Sequence, residues 1–107
     1  MPFDCLEVAL EAVRVTKPVV DQIAKHDPDL AKQLRRSCGS VPQNIAEGRE
    51  RVGRDQPRAY RIASGEAGES VASIRIALAW GYIGEELAAA PLALFDRVRA
   101  MLWRLTH

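Results

Sequence analysis

The chain has 107 residues, enough for a single domain around one core, and we predict that residues 1–107 form that domain. Hydrophobic residues make up 48% of the chain, and alanine and leucine outnumber the β-branched residues, which favours helix over sheet. The formal net charge of +1 excludes a uniformly polycationic or polyanionic chain, so any site for a charged partner must come from an uneven distribution of charge.

The sequence predicts no membrane association and a cytoplasmic location. No uncharged run approaches the roughly 20 apolar residues that a membrane-spanning helix needs. The first residues, Met-Pro-Phe-Asp, carry neither a basic region nor an apolar signal segment. In a reducing compartment we expect Cys5 and Cys38 to be free thiols, since their spacing matches no metal site.

The first predicted helix runs from about Phe3 to Lys25. Its predicted core stripe consists of apolar residues at helical spacing: Phe3, Leu6, Leu10, Val13, Val20 and Ala24. Pro18 removes the hydrogen bond to the carbonyl of Arg14, so we expect a kink there.

The second predicted helix opens at Asp27 and Pro28, a capping residue followed by a proline in the first helical position. Its predicted core stripe is Leu30, Leu34, Cys38, Val41 and Ile45. Pro42 lies inside this pattern and predicts a kink in the helix. Gly48 follows the stripe and predicts a left-handed helix end.

The third predicted helix starts after Asp55 and continues to about Tyr82. Its predicted core stripe is Tyr60, Ala63, Ala67, Val71, Ile74, Leu78 and Gly81. A second apolar line on nearly the opposite side contains Ile62, Ile76, Trp80 and Ile83. Because every helix of a small bundle has a solvent side, we predict that this second line forms a contact between subunits.

The fourth predicted helix follows Gly84, and Pro91 is expected to start its regular part, because the residue before a proline is biased away from helical geometry. The predicted core residues are Phe95, Val98, Leu102 and Leu105. Trp103 lies beside this stripe and joins the predicted subunit contact. Four helices with short connections predict an all-α, up-down-up-down four-helix bundle with a proline kink in helix 2.

Two segments carry a family resemblance. Residues 33–48 read Gln-Leu-Arg-Arg-Ser-Cys-Gly-Ser-Val-Pro-Gln-Asn-Ile-Ala-Glu-Gly, and residues 60–69 read Tyr-Arg-Ile-Ala-Ser-Gly-Glu-Ala-Gly-Glu. Together with Leu-Ala-Trp-Gly-Tyr-Ile at 78–83, they resemble the four-helix-bundle proteins of the 23S rRNA intervening-sequence, or S23, family. The resemblance covers nearly the whole chain, and the chain departs from the family pattern at Glu66, where members have serine.

The resemblance implies a bacterial four-helix bundle from a family whose members mostly have no established activity. Related accessory proteins of diversity-generating retroelements form basic, barrel-like homopentamers that associate with nucleic acid and reverse transcriptase. By that analogy we expect a homo-oligomer, in particular a pentamer. The partners it implies are RNA or DNA and a reverse transcriptase or another protein.

Basic residues are concentrated between Lys32 and Arg61, where eight basic residues face three acidic ones, a net charge of +5 against −4 for the remainder. The candidate nucleic-acid-binding residues are Arg35, Arg36, Arg49, Arg51, Arg54, Arg58 and Arg61. Arginine near a helix N-terminus opposes the helix dipole, so Arg58 and Arg61 have no local stabilising role. Guanidinium groups bind phosphate bidentately. The other interpretation is a set of surface ion pairs with neighbouring acids, worth about 0–1 kcal/mol each.

The polar residues around the predicted kink suggest a network between helices, formed by Arg36, Asn44, Glu47 and Glu69. In one interpretation the network fixes helix register and nothing else. In the other, Arg36 and Asn44 belong to a ligand-binding surface.

The sequence favours a protein that is not an enzyme and that has neither metal nor cofactor. Neither His26 nor His107 lies beside a plausible nucleophile, and the Glu-x-x-His pairs of bundle metal sites are absent. We therefore predict a non-enzymatic homo-oligomeric bundle that contacts RNA or DNA. The alternative is a protein-binding adaptor that uses the apolar line on helix 3.

Overall fold

Four α-helices account for nearly all of residues 4–107, the part of the chain that this computed structural model describes. They are α1 (Cys5–Ala24), α2 (Pro28–Glu50), α3 (Asp55–Trp80) and α4 (Glu85–Thr106). Each helix packs against its neighbour in sequence, and α4 closes the bundle against α1. The predicted all-α, up-down-up-down bundle is confirmed for the described residues, and it measures about 43 × 24 × 19 Å. Pro42 lies inside α2, and the kink predicted there stays a prediction.

Capping side chains explain where the first two helices begin. Asp4 Oδ1 accepts a hydrogen bond from the backbone N–H of Leu6 at 3.0 Å. Asp27 Oδ1 does the same for Leu30 at 3.0 Å, as its position before Pro28 predicted. α3 ends at Trp80 and is capped by Gly81, whose φ of 78° is left-handed. Gly81 is therefore a helix cap and not a member of the core stripe, because a chain leaving the helix no longer follows its periodicity.

The predicted core stripes of α2 and α4 are confirmed with one exception. All five predicted α2 residues are buried, as are Phe95, Val98 and Leu102 of α4. Leu105 is 54% exposed, so its assignment to the core was wrong. It lies in the last turn of α4, beyond Leu102, the last buried residue of this helix.

The predicted core stripe of α1 was wrong. The residues that face the core are Cys5, Val8, Ala9, Ala12, Thr16, Val19 and Ile23. Leu6, Val13 and Val20 pack partly buried at the edge of the core, while Phe3 lies outside the described residues. Small side chains on the true stripe let neighbouring helices approach closely. Thr16 is tolerated there because its hydroxyl donates to the carbonyl of Ala12 at 2.6 Å.

Two predicted helix boundaries were also wrong. α4 begins at Glu85, so Pro91 lies inside the helix and does not start it. Pro91 and Ala88 are buried against the core, and this packing outweighs the local cost of the proline. α2 continues through Gly48 to Glu50. Instead, Gly48 lets the Tyr60 ring pack close to the α2 backbone, because a Cβ at this position would lie 2.5 Å from Cε1 of Tyr60.

A buried hydrogen bond joins α2 to α3 at mid-height. The hydroxyl oxygens of Ser37 and Ser70 lie 2.8 Å apart. Ser37 Oγ is also 3.2 Å from the carbonyl of Leu34, and Ser70 Oγ is 3.1 Å from the carbonyl of Glu66. One hydroxyl can therefore donate to its own helix while the other donates across the interface, which leaves both groups satisfied.

We expect Ser37→Ala and Ser70→Ala each to lower the free energy of unfolding by about 1 kcal/mol, because each change removes the partner of a buried hydroxyl. The double variant should lose less than the sum of the two single losses, since no hydroxyl is then left without its cross-helix partner. Urea denaturation measures all three values. Strictly additive losses would show that the two hydroxyls are not coupled.

Candidate nucleic-acid interface

Five exposed arginines lie at the end of the bundle where α2 turns into α3. Arg49 belongs to the last turn of α2, Arg51 and Arg54 to the connection, and Arg58 and Arg61 to the first turns of α3. Val52, at the tip of this connection, is 85% exposed. We call residues 49–61 the basic tip. Its backbone is held in place by Gln56, whose amide Nε2 donates to the carbonyl of Gly48 at 3.1 Å.

Arg35 and Arg36 lie away from the basic tip. Arg36 precedes Arg49 by 13 residues on the same helix, a separation of roughly 20 Å along the axis. Arg36 forms ion pairs with Glu69 at 3.2 Å and with Glu66 at 3.8 Å. The seven arginines predicted as one surface are therefore divided into two groups, because the sequence places them at opposite ends of a long helix segment.

Two arginines of the basic tip are neutralised by neighbouring acids. Arg49 Nη1 lies 3.5 Å from Asp4 Oδ2, and Arg51 Nη2 lies 3.8 Å from Glu47 Oε1. The first pair also shows that the acidic first turn of α1 lies at this end of the bundle. The excess positive charge of the segment is thus partly balanced by Glu47, one helical turn before Arg51, and by Asp4, which is distant in sequence.

Arg54, Arg58 and Arg61 form no ion pair with any acidic residue of the segment 4–107. Their spacing of four and three residues places them in one line along the start of α3. All three are exposed. We call these three residues the arginine line, and it is the part of the basic tip best suited to bind phosphate groups.

A cleft of about 230 Å³ between α2 and α3 adjoins this line. Its lining includes Asn44, Arg58 and Ile62, together with the carboxylates of Glu47 and Asp55. The carboxylates of Glu47 and Asp55 offset the guanidinium groups of Arg51 and Arg58 in its lining, so the cleft has no net positive charge to attract an anion. Phosphate contact is therefore expected along the outer arginine line and not inside the cleft.

The predicted polar network does not form as a unit. Asn44 Nδ2 donates to the carbonyl and hydroxyl oxygens of Ser40, at 2.9 and 3.0 Å, and Glu47 pairs with Arg51. Only Arg36 and Glu69 meet. Arg36 and Asn44 are eight residues apart on one helix, about 12 Å along its axis, which is too far for a shared contact.

The sequence interpretation missed two polar features of this α2–α3 face. One is the buried Ser37–Ser70 bond. The other is Glu66, whose Oε1 is buried without a hydrogen-bond partner among the described residues and faces Arg36. The sequence did hold a signal for Glu66, because members of the family have serine at this position.

The second apolar line of α3 is exposed over most of its length. Ile62 is 44%, Ile76 45% and Trp80 69% exposed, and Trp103 on α4 is 61% exposed. Ile83 is only 7% exposed, so its assignment to an outer contact surface was wrong. The helix ends at Trp80 and the chain turns at Gly81, so the helical projection no longer applies at Ile83.

The two cysteine thiols and His26 are poorly placed for nucleophilic chemistry. Burial, with the neighbouring Asp4 carboxylate, raises the pKa of the Cys5 thiol from 9.0 to about 11. Burial also raises the pKa of the Cys38 thiol, and the neighbouring Thr16 hydroxyl opposes this in part. Both thiols are therefore protonated and weakly nucleophilic at neutral pH. His26 stacks on Tyr82 with ring centroids 5.0 Å apart.

Two kinds of feature are absent from residues 4–107. No cluster of three His, Cys, Asp or Glu side chains there is arranged to hold a metal ion. None of the helices in that range combines the length and apolar character needed to cross a membrane.

Comparison with known proteins assigns the family. A comparison with curated proteins finds no match. The crystal structure of a protein with unknown function from the S23 ribosomal protein family of Bacteroides thetaiotaomicron superposes with a TM-score of 0.86. It is 22% identical, over 96% of this chain and 98% of that one, and at this identity the likeness concerns the fold alone. Residues 4–104 match the family model described as 23S rRNA-intervening sequence protein. The chain therefore belongs to the 23S rRNA-intervening sequence protein family.

Proposed function

We propose that this protein is a non-enzymatic, cytoplasmic homo-oligomer whose arginine line binds the phosphate backbone of RNA or DNA. The observation that carries the proposal is that three exposed arginines share one edge of α3 without an acidic partner among residues 4–107. Guanidinium groups placed in this way offer paired N–H donors to phosphate oxygens. Nothing in the line is arranged to read base edges, so the contact is expected to be independent of sequence.

Self-association is supported by the exposed apolar line of α3. A small bundle that exposes Ile62, Ile76 and Trp80 on one helix face leaves apolar area for another surface to cover. By analogy with the barrel-like accessory proteins of retroelements, we propose a pentamer, with a reverse transcriptase as a further candidate partner. In a ring the arginine lines of all subunits lie at the same end, so several weak contacts act together.

The nucleic-acid contact is tested by replacing Arg54, Arg58 and Arg61 together with glutamine, which keeps side-chain length and helix propensity. Binding of labelled single-stranded RNA and duplex DNA is followed by fluorescence anisotropy at several salt concentrations. We expect the slope of log affinity against log salt to fall by about 2–3, and affinity to fall at every sequence tested. The matched control replaces the exposed arginines Arg75, Arg97 and Arg99 with glutamine, and it should bind like the wild type.

Equal binding by the two triple variants would contradict the phosphate-binding role. Binding by the wild type that does not weaken with rising salt would contradict it as well, because counterion release is unavoidable in phosphate contacts.

The second candidate is the adaptor function, in which the exposed line of α3 receives a different protein. The same apolar exposure supports it. Light scattering separates the two: the homo-oligomer predicts a mass of several subunits at micromolar concentration, whereas the adaptor predicts a monomer or a dimer.

A further inference from the structure

Two helices carry lines of residues that reach the surface with the same alternating spacing of four and three residues. The α1 line is Leu6, Leu10, Val13, Lys17, Val20 and Ala24, and the α3 line is Ile62, Gly65, Glu69, Ala72, Ile76 and Ala79. This spacing is that of helix seams that pack along another helix. Each line contains a single charged residue, of opposite sign: Lys17 on α1 and Glu69 on α3.

Both lines are accessible in the single chain. Every α3 line residue is exposed, and the α1 line residues are half-buried or exposed. The α1 line borders a groove of about 710 Å³ between α1 and α2, whose floor includes Thr16, Cys38 and Gly39. Basic side chains predominate at its rim: Arg14, Lys17 and Arg35, beside Asp21. The groove thus combines an apolar floor with a positive edge.

We propose that the α1 line of one subunit receives the α3 line of the next, with the two helices parallel and Lys17 opposite Glu69. The inference rests on the proposed homo-oligomer and names the two surfaces that form it. The occupant of the groove is a second copy of this chain, because the chain itself presents a line of matching spacing and complementary charge.

Contacts within the bundle place the two charges at the same height. Asp4 and Arg49 meet at one end. From there Lys17 lies 13 residues along α1, and Ser37 lies 12 residues back along α2, which is about 20 and 18 Å respectively. Ser70 bonds to Ser37 at 2.8 Å, so its neighbour Glu69 lies at that level too.

A rotation about an axis parallel to the helices, without translation, therefore brings Lys17 of one subunit to the level of Glu69 of the next. The parallel register deduced from these heights is the one that pairs the two charges. It also sets Leu10 against Ile62 and Val20 against Ala72, and it places Leu6 opposite Arg58 at the edge of the contact, beside the basic tip.

The side chains in this register are complementary in size and charge. Gly65 and Ala72 lie opposite Val13 and Val20, so small residues face larger ones and the helices can approach closely. Within its own chain Lys17 contacts Asp21 at 2.7 Å, and Glu69 contacts Arg36 at 3.2 Å. Both pairs are exposed, and such pairs exchange partners at little cost.

The positions of the α1 line and the α3 line on the bundle favour an assembly that closes into a ring. The α1 line adjoins α2 across the groove, and on the α3 line Glu69 pairs with Arg36 of α2, so the two lines lie on neighbouring and not on opposite sides of the bundle. A head-to-tail contact between faces set at an angle closes into a ring when the rotation permits, whereas opposite faces would build a filament.

Charge reversal tests the contact. Lys17→Glu and Glu69→Lys, made singly, place like charges opposite each other at every interface. We expect each to raise the subunit concentration for half-dissociation by at least about tenfold, measured by sedimentation velocity. The double reversal in one chain should restore assembly. Arg75→Glu and Glu86→Lys are the matched controls, since they change the net charge equally at exposed positions outside both lines.

Disulfide crosslinking tests the register. The pair Leu10→Cys with Ile62→Cys should form intersubunit crosslinks on mild oxidation. The pair Leu10→Cys with Ile76→Cys, which an antiparallel register would bring together, should not. Circular dichroism melting confirms that each variant is folded.

The outcomes separate this inference from the proposed function. A wild type that is monomeric at high micromolar concentration overturns both. If the wild type is oligomeric, three results overturn the inference alone. The single reversals leave the size of the assembly unchanged, the double reversal fails to restore assembly, or the cysteine pairs crosslink in the antiparallel register.

Discussion

Replacing Phe95 with alanine is expected to lower the free energy of unfolding by about 3–5 kcal/mol, the largest effect of any single truncation in this bundle. Phe95 heads the fully buried side chains by volume and is 0% exposed. It lies on α4, which contacts both α1 and α3. Truncation leaves a cavity between these helices that the surrounding side chains fill only in part. Urea denaturation at fixed protein concentration measures the loss, since an oligomer's apparent stability depends on concentration.

Leu105→Ala is the matched control for this experiment. Leu105 is on the same helix but 54% exposed, so its truncation should cost less than about 1 kcal/mol. Comparable losses at the two positions would mean that the last turn of α4 is buried in solution. In that case the assembly, and not the single bundle, would cover Leu105.

Gly48→Ala is expected to destabilise the protein by about 1–2 kcal/mol, although alanine normally stabilises a helix interior relative to glycine. The added Cβ would lie 2.5 Å from Cε1 and 2.8 Å from Cδ1 of Tyr60. The Tyr60 ring is 7% exposed and cannot move away without leaving its packed position. Overpacking of this kind costs about 1–3 kcal/mol, more than the gain in helix propensity.

For Gly39→Ala, in the same helix, we expect the opposite change in stability. No heavy atom lies within 4 Å of a Cβ built at Gly39, so this variant should gain about 0.5–1 kcal/mol. Thermal unfolding of both variants reports the difference in sign. If Gly48→Ala were as stable as the wild type, Tyr60 would not constrain the junction between α2 and the basic tip.

The arginine line and the proposed subunit contact are both on α3. This helix buries one face against α2 and α4 and exposes another face rich in isoleucine and small residues. In the proposed assembly, the contact along α3 sets the orientation of each arginine line. Loss of assembly and loss of nucleic-acid affinity should therefore accompany each other at low protein concentration, because weak contacts act together only when the subunits are joined.

The helices themselves were predictable because their signals are local. The cap at Asp27 and the spacing of the apolar residues on α2 depend only on residues within a few turns, and the structure confirms both. The arginines of the basic tip were also correctly expected to be exposed. Side-chain size misled the interpretation of α1, where larger residues on the outer line resemble a core stripe.

The errors at the site have a different origin. Whether an arginine is neutralised depends on which acids a distant helix brings near it, as Asp4 does for Arg49. Whether Arg36 contacts Asn44 depends on the distance between them along the axis of α2, and their shared polar character does not indicate that distance. Ile83 was misplaced because a helical projection was extended past the turn at Gly81.

The sequence by itself determined the all-α class, the number and order of the helices, the family, and the exposure of the arginines in the basic tip. Each of these follows from periodicity, capping and motif patterns carried by neighbouring residues. Only the tertiary structure decided which side of α1 faces the core, why Gly48 must be glycine, and which three arginines remain without acidic partners. These depend on contacts between residues dozens of positions apart, and the approach distance of packed helices sets those contacts.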